Sequence, residues 1–398
     1  MEHKTRIKGN VHYVGVNDRN KHRFEGMWPL PYGVSYNSYL IDDEMVALVD
    51  TVDICYFEVY LRKIKQVIGE RPINYLIINH MEPDHSGSIR LIKQHYPEII
   101  IVGNKQTFGM IEGFYGVTGE QYLVKEGDFL ALGHHKLRFY MTPMVHWPET
   151  MMTFDETDGV LFSGDGFGCF GTVDGGFLDT RINVDKYWGE MVRYYSNIVG
   201  KYGSPVQKAL QKLGGLPISA ICSTHGPVWT ENIAKVIGIY DRLSRYDADE
   251  GVVIAYGSMY GNTEQMAEAI AEELSAQGVK NIVMHNVTKS HPSYIIADIF
   301  RYKGLIIGSP TYSNQIFPEV EALLSKILLR EVKGRYLGYF GSFTWAGAAV
   351  KRLAEFAEKS KFELVGDPVE MKQAMKDLTY TQCENLARAM ADHLKKDR

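Results

Sequence analysis

Short apolar runs separated by Gly, Asp and Pro turns fill the chain up to about residue 245. Val11 to Val16, Ser38 to Ile41, Val46 to Asp50, Tyr75 to Ile78 and Ile99 to Val102 predict strands. So do Leu137 to Met141, Met151 to Phe154, Val160 to Ser163 and Ile218 to Ser223. Brief runs of aliphatic and aromatic residues bounded by turn formers suit buried strands. Acidic turns inside 38–50 and 151–163 predict hairpins. Helices are expected over 54–68, 86–96 and 185–212. Strands in excess with interspersed helices predict an α/β sandwich of sheets.

The rhythm changes after the polar stretch from Ser244 to Gly251, which reads as a linker. Strand and helix then alternate: Val252 to Tyr256, Thr263 to Ala276, Ile282 to Val287, Gly304 to Gly308, a helix from Pro318, Leu337 to Ser342, and a helix from Ala349 to Lys359. Met266, Ile270 and Leu274 recur every fourth residue, one stripe to lay on a sheet. Wholly apolar strands alternating with helices predict a parallel, doubly wound sheet. The expected domains are therefore 1–250 and 251–398.

Composition narrows the function classes without naming one. A length of 398 residues exceeds one ordinary core. The net charge of −5 is dispersed and offers nucleic acid or an anionic membrane no footprint. No run reaches membrane-spanning length, and Met1-Glu2-His3-Lys4-Thr5 lacks a signal-peptide core, so a cytoplasmic protein is expected. Cys55, Cys169, Cys222 and Cys383 form no CxxC pair and read as reduced thiols.

Candidate chemistry is densest at His80-Met81-Glu82-Pro83-Asp84-His85, directly after an apolar strand. Imidazoles and carboxylates are the donors of divalent metals, and carboxylates also bridge two ions. His146, Asp165 and His225 share that setting, each just beyond a strand and beside Gly or Pro. His95, His134, His135 and His285 do not, and are expected at the surface. A second candidate site follows Tyr256: Gly257-Ser258-Met259-Tyr260-Gly261-Asn262-Thr263, then a helix. Hydroxyls, loop N–H groups and a helix N-terminus form an anion cradle. It lacks the lysine of a nucleotide-hydrolysing P-loop and the GxGxxG of dinucleotide folds. It suits one terminal phosphate, as in flavin mononucleotide (FMN). Ser309-Pro310-Thr311-Tyr312-Ser313-Asn314 and Ser342-Phe343-Thr344-Trp345-Ala346-Gly347, after later strands, would complete the pocket, with Tyr312 and Trp345 against the ring.

The first constellation resembles the ligand series of the metallo-β-lactamase fold, with Glu82 where zinc hydrolases of that fold usually carry histidine. The second half resembles flavodoxin. Together they resemble the flavodiiron proteins: an αββα metallo-β-lactamase-like sandwich followed by a flavodoxin-like sheet. The resemblance implies two irons. His80, Glu82 and His146 would hold one, and Asp84, His225 and His85 the other, with Asp165 bridging. In the family the histidine at position 85 also turns away, leaving a water. It further implies reduction of O2 to water or of NO to N2O, fed by FMN. Phe24, Trp28 and Trp147 are candidates to shape the gas pocket. A head-to-tail homodimer, or a dimer of dimers, is implied. No CxxC pair lies after residue 360, so a separate donor is expected, rubredoxin or a reduced deazaflavin. Two rivals stay open: a zinc-dependent hydrolase with a regulatory flavodoxin domain, and a flavin electron carrier with a metal-free partner domain.

Overall fold

The computed structural model describes residues 4–396, so three residues of the N-terminal stretch read for a signal peptide lie outside it. The chain divides into two compact units, one ending at Ser244 and the other beginning at Arg245.

In the first unit, seven strands run in the order Arg6–Lys8, Val11–Tyr13, Tyr39–Ile41, Ala47–Val49, Tyr75–Ile77, Ile100–Gly103, Gln121–Leu123. A second sheet holds Phe129–Ala131, Lys136–Met141, Met151–Asp155, Val160–Gly164 and Ala220–Ser223. Both expected hairpins are antiparallel pairs. One apolar cluster joins the sheets: Tyr39, Ile41, Val49, Ile77 and Val102 from the first meet Leu137, Phe139, Met151, Phe162 and Cys222 from the second. Burying two faces against each other is what makes a sandwich.

Some expectations fail here for physical reasons. The single helix over 185–212 is three pieces, Asp185–Tyr194, a π-helical Tyr195–Val199, and Gly203–Leu213, parted at Gly200 with φ 25°. The helix expected over 86–96 is the shorter Ile89–His95, preceded by a separate turn of helix, Pro83–Ser86. Helices Lys105–Tyr115 and Ile233–Ser244 had no counterpart in the reading of the pattern. His135 and His285 are buried, not at the surface. The first pairs with Asp155 at 2.9 Å, and the second lies between Ser290 and Asp298.

The second unit is a parallel sheet in the order Ile282–Asn286, Asp249–Tyr256, Tyr302–Tyr312, Tyr336–Phe343, with Glu363–Leu364 and Val369–Lys372 both on the last strand. This is the doubly wound order with a switch beside the first strand. The expected linker ends early, because Asp249 already belongs to that strand. Ser309 to Tyr312 lie within a strand and not beyond it. Helices Pro292–Arg301 and Asp377–Lys396 also escaped the pattern. The latter buries Thr379, Cys383, Leu386, Ala387, Met390, Ala391 and Leu394, a stripe in which small residues alternate with large ones.

Asp179 ties the first unit together near the site. Val228 N–H donates to Phe177 and Asp179 N–H to Val228, so the chain after His225 returns along 177–179. The Asp179 carboxylate then accepts from Thr230, Glu231 and Asn232, at the start of the helix Ile233–Ser244. Burial raises this carboxyl, yet the Thr230 and Asn232 donors bring it below its ordinary value. Its stabilisation is complete above the ordinary aspartate pKa of ~3.9 and lost as pH falls through the lowered one. Asp179→Ala is expected to cost about 2–4 kcal/mol, since several buried donors lose a charged acceptor. Urea titration of the two proteins at neutral pH measures it, and the difference should shrink in acid.

Candidate metal centre and flavin cradle

Rigid strands deliver the metal-type donors. Beyond Tyr75–Ile77, Asn79 is pinned to Asp50 through its backbone N–H (2.8 Å) and side-chain amide (3.0 Å), and accepts from Thr153 at 2.8 Å. That fixes His80 next to it. Glu82 precedes the short helix Pro83–Ser86, which carries Asp84 and His85. His146, Asp165 and His225 arrive from the ends of the second sheet. All seven side chains are buried, none more than 8% exposed.

Asp165 stands between two groups. Its Oδ2 faces His146 Nε2 at 3.1 Å and His80 Nε2 at 3.6 Å. Its Oδ1 faces His85 Nε2 at 3.3 Å and His225 Nε2 at 3.5 Å. Glu82 joins the first group, 3.1 Å from His146, and Asp84 the second, 3.3 Å from His225. The outer nitrogens are held from behind. Glu149 lies 2.6 Å from His80 Nδ1, and the Ser35 carbonyl 2.8 Å from His225 Nδ1. Such partners place the proton on Nδ1 and leave Nε2 as a lone-pair donor.

Electrostatics say what the cluster needs. Burial alone would raise the Glu82 carboxyl, but the His146 and His80 imidazoles bring it down to about 2. Burial would lower His85, yet Asp84 and Asp165 carry it up to about 10. Three carboxylates without solvent demand positive charge. Meanwhile His80 Nε2, both Asp84 oxygens, both His85 nitrogens and His225 Nε2 are buried with no hydrogen-bond partner. Orphaned donors of this kind, converging from two sides on one carboxylate, fit two metal cations. His135, Asp155 and Asp158 also lie close together, but none of their atoms is a buried orphan, and the geometry reads as an ion pair. Beside the cluster opens a cavity of about 740 Å³, touched by Glu82, Asp84, Phe24 and Tyr115.

In the second unit the strand Asp249–Tyr256 ends at Gly257, where a Cβ would sit 2.7 Å from the Phe317 ring. The loop closes by Gly261 N–H donating to Ser258 Oγ at 3.1 Å, and Gly261 takes φ 87° before the helix Asn262–Ala276. A cavity of about 440 Å³ opens there, within the range of ordinary ligand pockets. Ser258, Met259, Tyr260, Asn262 and Thr263 line it with Pro310 to Asn314, Ser342 to Ala346, and Gln373. Tyr260 and Trp345 stand 89% and 82% exposed, aromatic faces with nothing over them.

The family described as ODP family beta lactamase matches residues 34–226, and the family described as Flavodoxin matches 254–386. The chain is similar to the anaerobic nitric oxide reductase flavorubredoxin of Vibrio vulnificus, 32% identical over 90% of this chain and 73% of that protein. It is similar in structure to the flavodiiron protein of Giardia intestinalis (TM-score 0.91, 26% identity, 98% and 97% of the two chains). The rubredoxin oxygen:oxidoreductase of Desulfovibrio gigas matches with TM-score 0.95 at 31% identity, over 98% of each chain. The chain belongs to the flavodiiron protein family. It is therefore an oxidoreductase, and membership implies FMN and a non-haem diiron site. The residues of this flavodiiron chain fit both groups: orphaned buried donors for the metals, a cradle at a helix N-terminus for the flavin.

All seven metal candidates meet in one cluster. Of the flavin candidates, Gly261, Ser309 and Gly347 do not line the cavity. Ser309 Oγ instead donates to the Pro310 carbonyl and accepts from Phe317 N–H. Thr311 Oγ1 accepts from Ala348 and Ala349 N–H, capping a helix. Residues that sequence reading missed include Glu149, Asp50, Thr224, Ser35 and Gln373. Only Glu149, in the Pro-Glu turn after His146, carried a local signal.

Glu149→Ala is expected to weaken metal retention about 10–100-fold, read by metal loss against a graded chelator, with Glu149→Gln milder. Thr263, buried and 2.8 Å from Ser342 Oγ, sits at the first turn of the cradle helix. Thr263→Ala should lower flavin occupancy and leave metal content intact; full occupancy on the purified variant would undo this placement.

Proposed function

We propose that this protein reduces O2 to water, NO to N2O, or both, at a non-haem diiron site fed by FMN. The observation that carries the reading is Asp165, with one oxygen toward His80 and His146 and the other toward His85 and His225. His80, Glu82 and His146 would hold one iron, and Asp84, His85 and His225 the other, with Asp165 shared. Bound iron would supply one-electron chemistry, and bound FMN a two-electron store released singly. The chain's own residues do the rest. Glu82, Asp84 and Asp165 would offset the positive charge of bound iron. Glu149 and the Ser35 carbonyl keep the protons on His80 Nδ1 and His225 Nδ1. Phe24 and Trp147, with ring centroids 5.3 Å from those of His225 and His80, exclude water around the centre. Trp28 lies buried behind, donating to Glu25.

The D. gigas protein is named for rubredoxin, and we assign the same kind of donor here, with a reduced deazaflavin as the other choice. A head-to-tail homodimer, or a dimer of dimers, is supported by exposed apolar residues at both mouths. Ile54 and Phe114, 53% and 52% exposed, flank the metal-side cavity, and Tyr260 and Trp345 the flavin cavity. Four free thiols suit the cytoplasm. No helix among the described residues is long and apolar enough to cross a membrane.

Elemental analysis and anaerobic O2 and NO consumption on one sample test the reading. Two irons per chain with turnover of either gas is the expected result. A fully loaded, zinc-rich protein inert to both gases would return the hydrolase reading. Asp165→Ala should abolish gas reduction while the flavin absorbance persists.

A further inference from the structure

Thr224 immediately precedes His225 and is 1% exposed. Its backbone is clamped on both sides: its N–H donates to the Gly164 carbonyl at 2.9 Å, and its carbonyl accepts from Asn37 N–H at 2.8 Å. A β-branched side chain on a fixed backbone has little rotameric freedom. Its hydroxyl donates to Asp165 Oδ1 at 2.5 Å. The other polar groups facing Asp165 at close range are the imidazole Nε2 atoms of His80, His85, His146 and His225, each of which gives its lone pair to a cation when one is bound. Thr224 thus holds the shared carboxylate by a bond that metal binding does not consume. That bond falls on Oδ1, the oxygen turned to His85 and His225.

Resting on the diiron reading above, we infer that Thr224 is a positioning residue for the second metal. Its hydroxyl stops Asp165 from rotating, keeping Oδ1 on the side of Asp84, His85 and His225. Without it the carboxylate is free to turn both oxygens toward His80 and His146. The first metal then keeps its ligand, and the second loses one. Thr224 and His225 are adjacent, so a single turn after the strand Ala220–Ser223 supplies both a ligand and the brace for the shared one.

The test uses metal-stripped, flavin-loaded protein titrated with Co(II), read by visible absorption and calorimetry. The wild type should take two ions. Thr224→Val should bind the first with unchanged affinity and the second about 10–100-fold more weakly. Thr224→Ser, which keeps the hydroxyl, should match the wild type. Thr224→Ala provides the same comparison should the valine variant fail to fold. Equal weakening of both steps, no weakening, or failure of serine to rescue would overturn the inference. A wild type that takes fewer than two ions would instead sink the diiron reading itself.

Discussion

Three carboxylates and four imidazoles are buried together, and six of their polar atoms have no hydrogen-bond partner. Taking charge out of water is costly unless it is paired. Among the described residues the charged partners of Glu82, Asp84 and Asp165 are histidines, with no Lys or Arg, so cations from outside the polypeptide best complete the pairing. Protonated histidines would neutralise the pocket only by surrendering the lone pairs that point inward. Cations do both tasks at once. Much of the local design then follows, because a ligand set that repels itself when empty must be held by groups that do not depend on the metal.

Ser35 lies on the strand Val34–Tyr36, Asp50 just past the strand Ala47–Val49, and Glu149 in the turn before Met151–Asp155. Asp50 grips Asn79, Glu149 grips His80 and the Met81 N–H, and Ser35 grips His225 and Gly226. Gly226 has φ 82°, and a Cβ there would lie 2.3 Å from Cys169 Sγ, so the turn after His225 accepts no larger residue. Partners on or next to strands hold such side chains more exactingly than mobile loops do. The cost of gathering like charges is met by the large apolar interface between the two sheets.

Legibility in the sequence tracked this division. The clustered metal-type side chains were readable because each follows an apolar strand at a turn, a pattern local in sequence. Their supports were not, since Asp50, Ser35 and Thr224 reach their partners across 29, 190 and 59 positions. Strand positions were mostly recovered, yet the run over 185–212 read as one helix because its apolar periodicity continues through Gly200. The stripe of Asp377–Lys396 was too poor in large aliphatics to register. In the flavin cradle, residue type pointed to the right loops but not to individual roles. Thr311 lines the cavity, while its hydroxyl accepts from Ala348 and Ala349 N–H, a use that residue type alone did not indicate.

The two sites also differ in how they choose what enters. The cradle has neutral donors and exposed aromatic faces, suited to a large ring with one anionic end. The metal-side ligands are recessed, each at most 8% exposed, and flanked by Phe24 and Trp147. Hydrolases must grip an extended substrate through several polar contacts, because catalysis draws on binding energy away from the reacting bond. A diatomic gas offers almost nothing to grip. The side chains of the cluster are recessed and flanked by rings, which restricts contact at the cluster itself, although the cavity of about 740 Å³ that Glu82 and Asp84 touch is roomy. The same burial that makes the empty pocket costly is therefore what suits it to a small, uncharged oxidant.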